Sequence, residues 1–356
     1  MKLAIAGGGT GGHVFPAVAV AREWLSRGED REVLLVGTER GLESRLVPQA
    51  GLPFATIPVG GLKGIGGMRF VRNLALLAPA LSQSAAILDR NHFTAALGVG
   101  GYASGPFVLA AALAGVPAVI FEPNAEPGFT NRVLARIARR VATAYDGTAA
   151  RLGSRAVVTG IPVRPAFFQI VPRPHVAPFR VLITGGSQGS LVINRAVIDS
   201  LDLLLPRKNQ LFLIHQSGER DYNAVRVAYA RREINAEVVP FISNMAEEFA
   251  RADLIVCRAG AITAAEIAAA GRAAIFIPFG AATDSHQLRN AQALESAGAA
   301  RLIPEPQLNP QRLFEEITSL LDQPERIEQL ELRARALARP RAAADIVSLI
   351  EEVARR

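Results

Sequence analysis

Short runs of apolar residues alternate along the chain with longer segments in which apolar and polar positions recur at a helical spacing. Runs that are apolar at nearly every position are typical of strands buried on both faces of a parallel sheet. In the first half of the chain, this pattern predicts strands at 2–6, 33–36, 54–57, 95–99, 118–121 and 141–144. Helices are predicted between these strands, at 14–27, 42–50, 69–90, 106–114 and 128–139. This alternation indicates a doubly wound, parallel α/β domain.

A second domain of the same class is predicted beyond a linker. The segment 159–178 contains five prolines and little periodicity, which is typical of a connection between domains. After it, strands are predicted at 181–184, 211–215, 238–240, 254–257, 274–277 and 300–303. The last two predicted helices, 324–338 and 341–355, have no strand between them. We therefore expect an N-terminal domain at 1–162, a C-terminal domain at 163–340, and a final segment, 341–356, that packs back on the first domain.

The order of the elements also predicts where ligands bind. In open α/β sheets, ligands bind beyond the carboxyl ends of the strands. Two such domains joined by a linker are expected to face each other across a cleft, which suits a reaction between two substrates.

Composition narrows the class of protein. Of the 356 residues, 50% are hydrophobic and 20% are charged, which excludes wholesale disorder. The single cysteine, Cys257, excludes an internal disulfide. No apolar run is long enough to span a membrane, because the longest, 107–121, is interrupted by Gly115 and Pro117. We therefore expect a soluble protein, or one bound to a membrane only at its surface.

The net charge of +7 favours an anionic partner such as nucleic acid, acidic lipid or a phosphorylated substrate. The basic residues are dispersed, however, and aromatic residues make up only 6% of the chain. The alternation of basic and aromatic residues that binds single-stranded nucleic acid is not seen. We therefore expect no nucleic-acid partner.

Three glycine-rich segments each follow a predicted strand and precede a predicted helix. In the first, Gly7, Gly9 and Gly12 have the G-x-G-x-x-G spacing of a dinucleotide site, with Glu39 as a candidate ribose acid. The others are 98–105 and 185–190. Glycines at this place allow a sharp turn and let phosphate approach the amides of a helix start. For any one of these loops, a purely structural tight turn is the alternative to phosphate binding. A nicotinamide-dependent oxidoreductase would explain the first loop but not the loop at 185–190.

A fourth segment, 257–266, also joins a strand to a helix. Amides near Gly260–Thr263 would offer phosphate the positive end of a helix dipole. Glu266, one turn further on, could accept hydrogen bonds from ribose hydroxyls, or could simply be a favourable acid in the first turns of a helix. Shortly after, 284–287 and Asn290 place polar groups at another helix start.

Taken together and in this order, these segments resemble the MurG family. The matching segments are 8–16, 100–106, 130–131, 160–164, 185–189, 258–266, 286–287 and Asn290, spread over nearly the whole chain. MurG enzymes are GT-B glycosyltransferases of peptidoglycan and cell-wall synthesis. The resemblance implies the GT-B fold, two Rossmann-like domains with doubly wound parallel sheets that face a cleft.

The resemblance also implies an activity. Members of the family are inverting hexosyltransferases that transfer N-acetylglucosamine from UDP-N-acetylglucosamine to undecaprenyl-pyrophosphoryl-N-acetylmuramoyl-pentapeptide (lipid I), giving lipid II. Another GT-B lipid glycosyltransferase, with a different acceptor, is the alternative. The resemblance implies that the protein is attached peripherally to the cytoplasmic face of the bacterial inner membrane. Other proteins of cell-wall synthesis are candidate partners there.

Site residues follow from the resemblance position by position. Donor contacts in the second domain would come from Ser187 (phosphate), Ile242 (uracil), Ala261, Ile262 and Thr263 (phosphate), Glu266 (ribose), Gln287 (sugar hydroxyls) and, at the hinge, Arg164. Thr10, Gly11, Gly12 and Asn124 of the first domain would complete the donor site. The acceptor would meet loops of the first domain that contain Gly101, Tyr102 and Ser104.

One segment departs from the family. Where the family usually has His-Glu-Gln-Asn, this chain has Phe121, Glu122, Pro123 and Asn124. The imidazole and one amide are therefore lost, and we expect the geometry of any acceptor or donor contacts at these positions to differ from that of the family.

Transfer requires a base for the acceptor hydroxyl and stabilisation of the leaving diphosphate. His13 is the leading candidate base, because an imidazole titrates near neutral pH. It could instead bind the acceptor or order its loop, and Glu122 is the rival base. No Asp-x-Asp triplet occurs, so we expect no cofactor and no obligatory catalytic metal.

A lipid acceptor implies contact with an anionic membrane surface. The segment 61–65 and the residues Met68, Phe70, Leu74, Leu76 and Leu77 mix apolar and basic groups in the first domain, and Arg136, Arg139 and Arg140 could lie nearby. Basic residues near an anionic surface each contribute about 1 kcal/mol. Alternatively, the leucines belong to the core and the basic residues form a solvated rim.

Overall fold

The computed structural model describes residues 1–9, 11–60, 76–280 and 285–355. Contacts divide the chain into two compact units. The N-terminal unit contains Met1–Val163 and Arg339–Arg356, and the C-terminal unit contains Arg164–Ala338.

The N-terminal unit is built around a parallel sheet of seven strands in the order β3-β2-β1-β4-β5-β6-β7. The strands are β1 (Lys2–Ala6), β2 (Glu32–Gly37), β3 (Phe54–Thr56), β4 (Ala95–Gly98), β5 (Ala118–Glu122), β6 (Arg140–Thr143) and β7 (Ala156–Val158). Its helices within the described ranges are α1 (Gly11–Ser26), α2 (Glu43–Gln49), α3 (Leu77–Asn91), α4 (Ser104–Leu113), α5 (Phe129–Leu134), α6 (Asp146–Leu152) and the last helix of the chain, α15 (Ala342–Ala354).

The C-terminal unit has a second parallel sheet, of six strands in the order β10-β9-β8-β11-β12-β13. These are β8 (Phe179–Thr184), β9 (Leu211–Gln216), β10 (Ala236–Val239), β11 (Leu254–Cys257), β12 (Ala274–Phe276) and β13 (Arg301–Leu302). The helices described in this unit are α7 (Pro165–Phe168), α8 (Leu191–Leu204), α9 (Tyr222–Ala230), α10 (Met245–Arg251), α11 (Ala261–Ala270), α12 (His286–Ser296), α13 (Pro310–Leu321) and α14 (Pro324–Ala336).

The apolar runs of the sequence form the buried strands. Every residue of β4, β5, β11 and β12 is buried, as a parallel sheet covered by helices on both faces requires. The prediction of a doubly wound α/β fold is therefore confirmed. The predicted helix at 128–139 is shorter in the structure, because α5 ends at Leu134. The part of the predicted helix at 69–90 that precedes residue 76 lies outside the described residues.

Helix α15 packs on the N-terminal unit rather than on the sheet that precedes it in sequence. It contacts α1, β4, β5 and β6. Glu351 forms ion pairs with Arg27, at 3.1 Å, and with Arg31, at 2.7 Å. Apolar burial and these ion pairs together attach the end of the chain to the first sheet.

A buried ionic cluster stabilises the C-terminal unit where its chain begins. His175 Nδ1 lies 2.8 Å from Asp253 Oδ1, and its Nε2 lies 3.2 Å from Glu331 Oε2. Arg272 donates to the other oxygen of Glu331, at 3.1 Å, and to the carbonyl oxygen of Val171, at 3.1 Å. The cluster therefore connects the segment after α7 to β11 and α14.

This cluster predicts a stability that depends on pH. Burial lowers the pKa of His175, but the hydrogen bonds and charges of Asp253 and Glu331 outweigh burial and raise it to about 9 from 6.5. A histidine pKa raised by folding stabilises the protein fully below pH 6.5, and the contribution is lost as the pH rises through 9. At 1.36 kcal/mol per pKa unit this is about 3 kcal/mol.

Replacing His175 with glutamine is therefore expected to lower the thermal unfolding temperature strongly at pH 6 and only weakly at pH 10. The measurement is calorimetry of the wild type and His175→Gln across this range. An equal loss of stability at both pH values would show that the charge of His175 is not what stabilises the cluster.

Candidate active site

In the N-terminal unit, two glycine loops interlock at the carboxyl ends of β1 and β4. Gly8 donates a backbone hydrogen bond to the carbonyl oxygen of Gly100, at 3.3 Å. Gly101 has φ +80°, and a Cβ atom on it would collide with the backbone of Gly8. Only glycine combines this conformation with so close an approach of two backbones.

His13 lies on the first turn of α1, beside these loops. Its Nδ1 is 3.1 Å from the carbonyl oxygen of Gly8. A carbonyl oxygen only accepts, so Nδ1 carries the proton in the neutral ring and Nε2 is the nitrogen that can accept one. Burial lowers the pKa of His13 and outweighs the opposing effects of the Glu122 charge, the bond to Gly8 and the Glu43 charge. The imidazole is therefore neutral at pH 7, as a general base must be.

Glu122, at the end of β5, is buried and holds the loop that follows it. Its carboxylate accepts hydrogen bonds from the backbone N–H of Asn124 (3.0 Å), the side chain of Asn124 (3.0 Å), the backbone N–H of Gly128 (2.9 Å) and the side chain of Asn131 (2.9 Å). Both oxygens are occupied by the protein. These contacts favour a role in ordering the loop over direct contact with a substrate proton. Phe121, which stands where the family usually has histidine, is buried in the core. Its apolar ring therefore does not replace the polar function of the imidazole.

Glu43, at the start of α2, was not identified from the sequence. It is buried and accepts hydrogen bonds from the backbone N–H of Gly9 (2.6 Å), the backbone N–H of Thr38 (2.9 Å) and the Thr38 hydroxyl (2.8 Å). The Gly9 amide that a dinucleotide phosphate would use is therefore bonded to a carboxylate. This contact counts against a nicotinamide site at the first loop, despite its G-x-G-x-x-G spacing. An acid in a helix's first turn was the only sequence signal for Glu43.

A cavity of about 570 Å³ lies beside Gly9 at the same end of the sheet. It is lined by Gly9, Thr38, Glu39, Arg40, Gly41, Ile57, Pro58, Val59, Gly60, Leu76 and Tyr102. The Tyr102 side chain is 54% exposed, which suits its predicted contact with an acceptor. Ser104, by contrast, is fully buried, and its hydroxyl makes no hydrogen bond to a described residue. This burial does not favour a direct contact between the Ser104 side chain and an acceptor, and that contact stays a prediction.

In the C-terminal unit, a third glycine loop follows β8 and precedes α8. Ser190 caps α8 by accepting a hydrogen bond from the backbone N–H of Ile193, at 3.4 Å. Gly189 has φ +71° and packs so closely on the backbone of Ser217 that a Cβ atom would collide with it. Ser187 is exposed at the tip of this loop, as a phosphate contact requires.

Helix α11 begins with amides that no side chain caps. Its N-cap is Gly260, and the backbone N–H groups of Ala261, Ile262 and Thr263 make no hydrogen bond to a described residue, whereas that of Ala264 donates to the Gly260 carbonyl oxygen. Nearby, the buried side chain of Arg258 donates to the Ser190 hydroxyl at 2.8 Å and to the carbonyl oxygen of Ile277 at 3.0 Å. A guanidinium charge thus connects the N-cap of α8 to the loop that leads into α11. Arg258 is also ion-paired with Glu305, so the feature that attracts an anion here is the uncapped start of α11.

Glu266 lies on the second turn of α11 and pairs with Arg164. Arg164 Nη2 is 2.9 Å from Glu266 Oε1, and the guanidinium also stacks over the ring of Phe167 at 4.8 Å. Burial raises the pKa of Glu266, and the Arg164 charge and hydrogen bond offset part of this. The structure therefore brings these two sequence-predicted residues together.

The remaining predicted donor residues follow other strands of the same sheet. Ile242 follows β10, and its backbone N–H donates to Gln216 Oε1 at 3.0 Å. Because the N–H is used in this way, the predicted contact with the uracil ring would involve the carbonyl group of Ile242. Gln287, on the first turn of α12, accepts a hydrogen bond from the Phe279 backbone N–H at 2.9 Å. Thr10 lies outside the described residues. Gly11 and Gly12 begin α1, and Asn124 belongs to the loop ordered by Glu122.

Among the described residues, no helix is both long enough and apolar enough to cross a membrane.

Comparison with known proteins gives consistent matches for both units. The model of the glycosyltransferase family 28 N-terminal domain matches residues 3–143, and that of the glycosyltransferase family 28 C-terminal domain matches residues 180–347.

Two curated relatives carry the name UDP-N-acetylglucosamine--N-acetylmuramyl-(pentapeptide) pyrophosphoryl-undecaprenol N-acetylglucosamine transferase. The protein from Myxococcus xanthus is 46% identical over 352 residues, covering 98% of this chain and 92% of the relative. The one from Solibacter usitatus is 44% identical over 353 residues, covering 99% and 96%.

Solved structures agree. The crystal structure of MurG from Acinetobacter baumannii matches with a TM-score of 0.81 at 33% identity, over 99% of each chain. A UDP-GlcNAc 2-epimerase from Neisseria meningitidis, bound to UDP-GlcNAc, matches with a TM-score of 0.71 at 14% identity, over 99% of this chain and 100% of that one. At this identity, the second likeness concerns the fold alone.

Proposed function

This chain belongs to the MurG family of glycosyltransferase family 28, and from that membership we infer that it transfers N-acetylglucosamine from UDP-N-acetylglucosamine to lipid I, giving lipid II. The observation that carries this conclusion is the full-length relationship, at 42–46% identity, to curated transferases of that name. Both relatives described above are named for this acceptor and not for another lipid.

The experiment that tests this function is UDP release by the purified protein with UDP-N-acetylglucosamine and a short-chain lipid I analogue. Each substrate is omitted in turn. Release that requires both substrates is expected. Equal release without the acceptor analogue would show that this lipid is not the acceptor.

The C-terminal unit binds the donor in this proposal. The uncapped amides of Ala261, Ile262 and Thr263, with the Ser187 loop, receive the diphosphate. These groups stabilise the negative charge that develops on UDP as it leaves. The carbonyl group of Ile242 accepts from uracil, and Gln287 contacts the sugar hydroxyls.

Glu266 binds the ribose, and Arg164 positions it. A carboxylate with one oxygen paired to Arg164 has its second oxygen for a ribose hydroxyl. The guanidinium favours the charged form of the buried acid and offsets part of the pKa rise that burial causes.

The N-terminal unit supplies the base. The acceptor hydroxyl oxygen attacks the anomeric carbon, its proton passes to Nε2 of His13, and the bond between the anomeric carbon and the UDP oxygen breaks. A single displacement of this kind inverts the anomeric configuration. The bond from Gly8 fixes the tautomer that makes Nε2 the accepting nitrogen. Glu122 orders the neighbouring loop through its four hydrogen bonds and, in this proposal, is not the base.

The acceptor sits at the glycine loops and the cavity beside them. Gly101 shapes the contact between the two loops, and Tyr102 presents an exposed ring at the cavity wall. Apolar and charged residues share that wall, as a substrate with both apolar and polar parts requires.

Contact with the membrane is proposed through an apolar patch of the N-terminal unit. Helices α4 and α5 follow adjacent parallel strands and contact each other, so they run side by side in the same direction. The outer surfaces of these helices, and of the segment that follows α5, carry exposed apolar side chains beside exposed arginines. These residues, the α4–α5 patch, are Leu109, Leu113, Phe129, Val133 and Ile137, with Arg132, Arg136 and Arg139.

An apolar patch bordered by cations is suited to an anionic membrane surface. Of the other residues that the sequence suggested for this role, 61–65, Met68, Phe70 and Leu74 lie outside the described residues. Leu76 and Leu77 are described and partly buried, and Leu76 lines the cavity beside Gly9. Arg140 is paired with Glu352, at 2.6 Å, and is not part of the patch. We propose that the protein attaches peripherally, at the cytoplasmic face of the membrane, through the α4–α5 patch.

Replacing Leu113 with aspartate is expected to lower binding to vesicles of anionic lipid by about tenfold, because it places a charge where an apolar group entered the interface. Leu113 is 78% exposed, and Leu332 of the C-terminal unit is 72% exposed, so Leu332→Asp is the matched control. Binding is measured by vesicle sedimentation at low and high salt. Equal binding by the two variants would remove the patch from this role.

A further inference from the structure

A single buried amide side chain bridges two loops of the C-terminal unit. Gln216 is the last residue of β9, and its side chain is 1% exposed. Its Nε2 donates to the carbonyl oxygen of Gly186, at 2.7 Å. Its Oε1 accepts from the backbone N–H of Ile242, at 3.0 Å. One side chain thus joins the glycine loop after β8 to the segment after β10.

The order of the strands explains why this residue can make the bridge. Strand β9 lies between β8 and β10 in the parallel sheet, so the end of β9 lies between the two loops that follow its neighbours. The other side of the glycine loop also rests on the residues after Gln216. Gly189 and Gly218 approach the facing backbone so closely that a Cβ atom on either would collide with it. The position of the glycine loop is therefore determined by contacts with the end of β9.

Both ends of the Gln216 amide are needed. The side chain offers an N–H donor and a carbonyl acceptor at a fixed separation, and both of its partners are backbone groups. Glutamate retains the acceptor for Ile242 but presents an oxygen to the Gly186 carbonyl, which also only accepts. Methionine retains the length but forms neither bond. Asparagine is one methylene shorter and cannot reach both partners.

We propose that Gln216 is a positioning residue that sets the separation between the diphosphate-binding loop and the uracil-binding segment. The inference rests on the proposed function, which places the diphosphate at the Ser187 loop and uracil at Ile242. A ligand that engages both loops depends on their separation, whereas a ligand that engages one of them does not. Affinity for UDP should therefore depend on Gln216, and affinity for uridine should not.

The test compares uridine and UDP on the same protein sample. Dissociation constants for both ligands are measured by ligand-observed NMR competition for the wild type, Gln216→Glu and Gln216→Met. We expect the UDP constant to rise about tenfold in both variants and the uridine constant to change less than twofold. In transfer assays, KM for UDP-N-acetylglucosamine should rise about tenfold while kcat changes less than threefold. The exposed Gln169→Glu in the same unit is the control and should match the wild type.

The ratio of the two constants is independent of the fraction of folded protein, so a less stable variant still tests the idea. Equal weakening of uridine and UDP would mean that Gln216 only maintains the fold, and unchanged UDP affinity would mean that the bridge does not position the loops. Either result overturns the inference. A wild-type protein that binds no UDP would instead contradict the proposed function itself.

Discussion

Replacing His13 with asparagine is expected to lower kcat by about 10²–10⁴-fold, the usual contribution of a general base. The amide of asparagine can still donate to the Gly8 carbonyl oxygen, as Nδ1 of His13 does at 3.1 Å, but it cannot accept the acceptor proton. This variant therefore separates the chemistry of the imidazole from its role in ordering the glycine loop. The affinity for UDP, measured in the same preparation, should stay within twofold of the wild type because His13 lies in the other unit.

The pH profile gives an independent test of the same assignment. Burial lowers the pKa of His13 below its ordinary value of 6.5. The base is neutral above its pKa, so the decrease of kcat/KM as the pH falls should have its midpoint below pH 6.5. If His13→Asn keeps more than a tenth of wild-type kcat, the imidazole orders the loop or binds the acceptor, and it is not the base.

Replacing Glu266 with alanine is expected to raise KM for UDP-N-acetylglucosamine by about 10- to 100-fold. A hydrogen bond to a charged group contributes about 1.5–3 kcal/mol, and each 1.4 kcal/mol is a factor of ten. The substitution also leaves Arg164, 2.9 Å from the missing oxygen, without its carboxylate partner. The measurement is steady-state kinetics with donor varied at saturating acceptor.

A nucleotide analogue that lacks the ribose hydroxyls tests whether Glu266 binds the ribose. The wild type should prefer UDP over its 2′,3′-dideoxy analogue by at least tenfold, and Glu266→Ala should show almost no preference. Arg164→Ala is the companion variant, because it removes the positioning charge but keeps the carboxylate. A Glu266→Ala protein that still discriminates fully between the two nucleotides would show that the acid only stabilises α11.

The fold could be predicted from the sequence because its strands are almost wholly apolar. Strands β4, β5, β11 and β12 are buried along their whole length, and such runs differ clearly from the amphipathic helices between them. Strand β7 was missed because its apolar run is only three residues long, and because it lies at the edge of the sheet and is not fully buried. The early end of α5 was also missed, since the apolar positions continue past Leu134 to Ile137.

The candidate site could be predicted only where a local motif carries it. Glycine loops and helix starts follow the strands directly, so His13, Ser187 and the first turn of α11 could be placed from sequence. Glu43 and Gln216 could not, because each contacts residues about 25–35 positions away and no local pattern indicates that contact. The partners of Glu122 and the burial of Ser104 likewise depend on how the loops pack.

The chemical structure of the product directly tests whether the protein transfers N-acetylglucosamine to lipid I. The purified protein is incubated with UDP-N-acetylglucosamine and the short-chain lipid I analogue, and both products are analysed by mass spectrometry and NMR. We expect one UDP released for each acceptor that gains a single N-acetylglucosamine, joined in the β configuration from an α-linked donor. Free N-acetylglucosamine, an epimerised sugar or an α linkage would contradict this function.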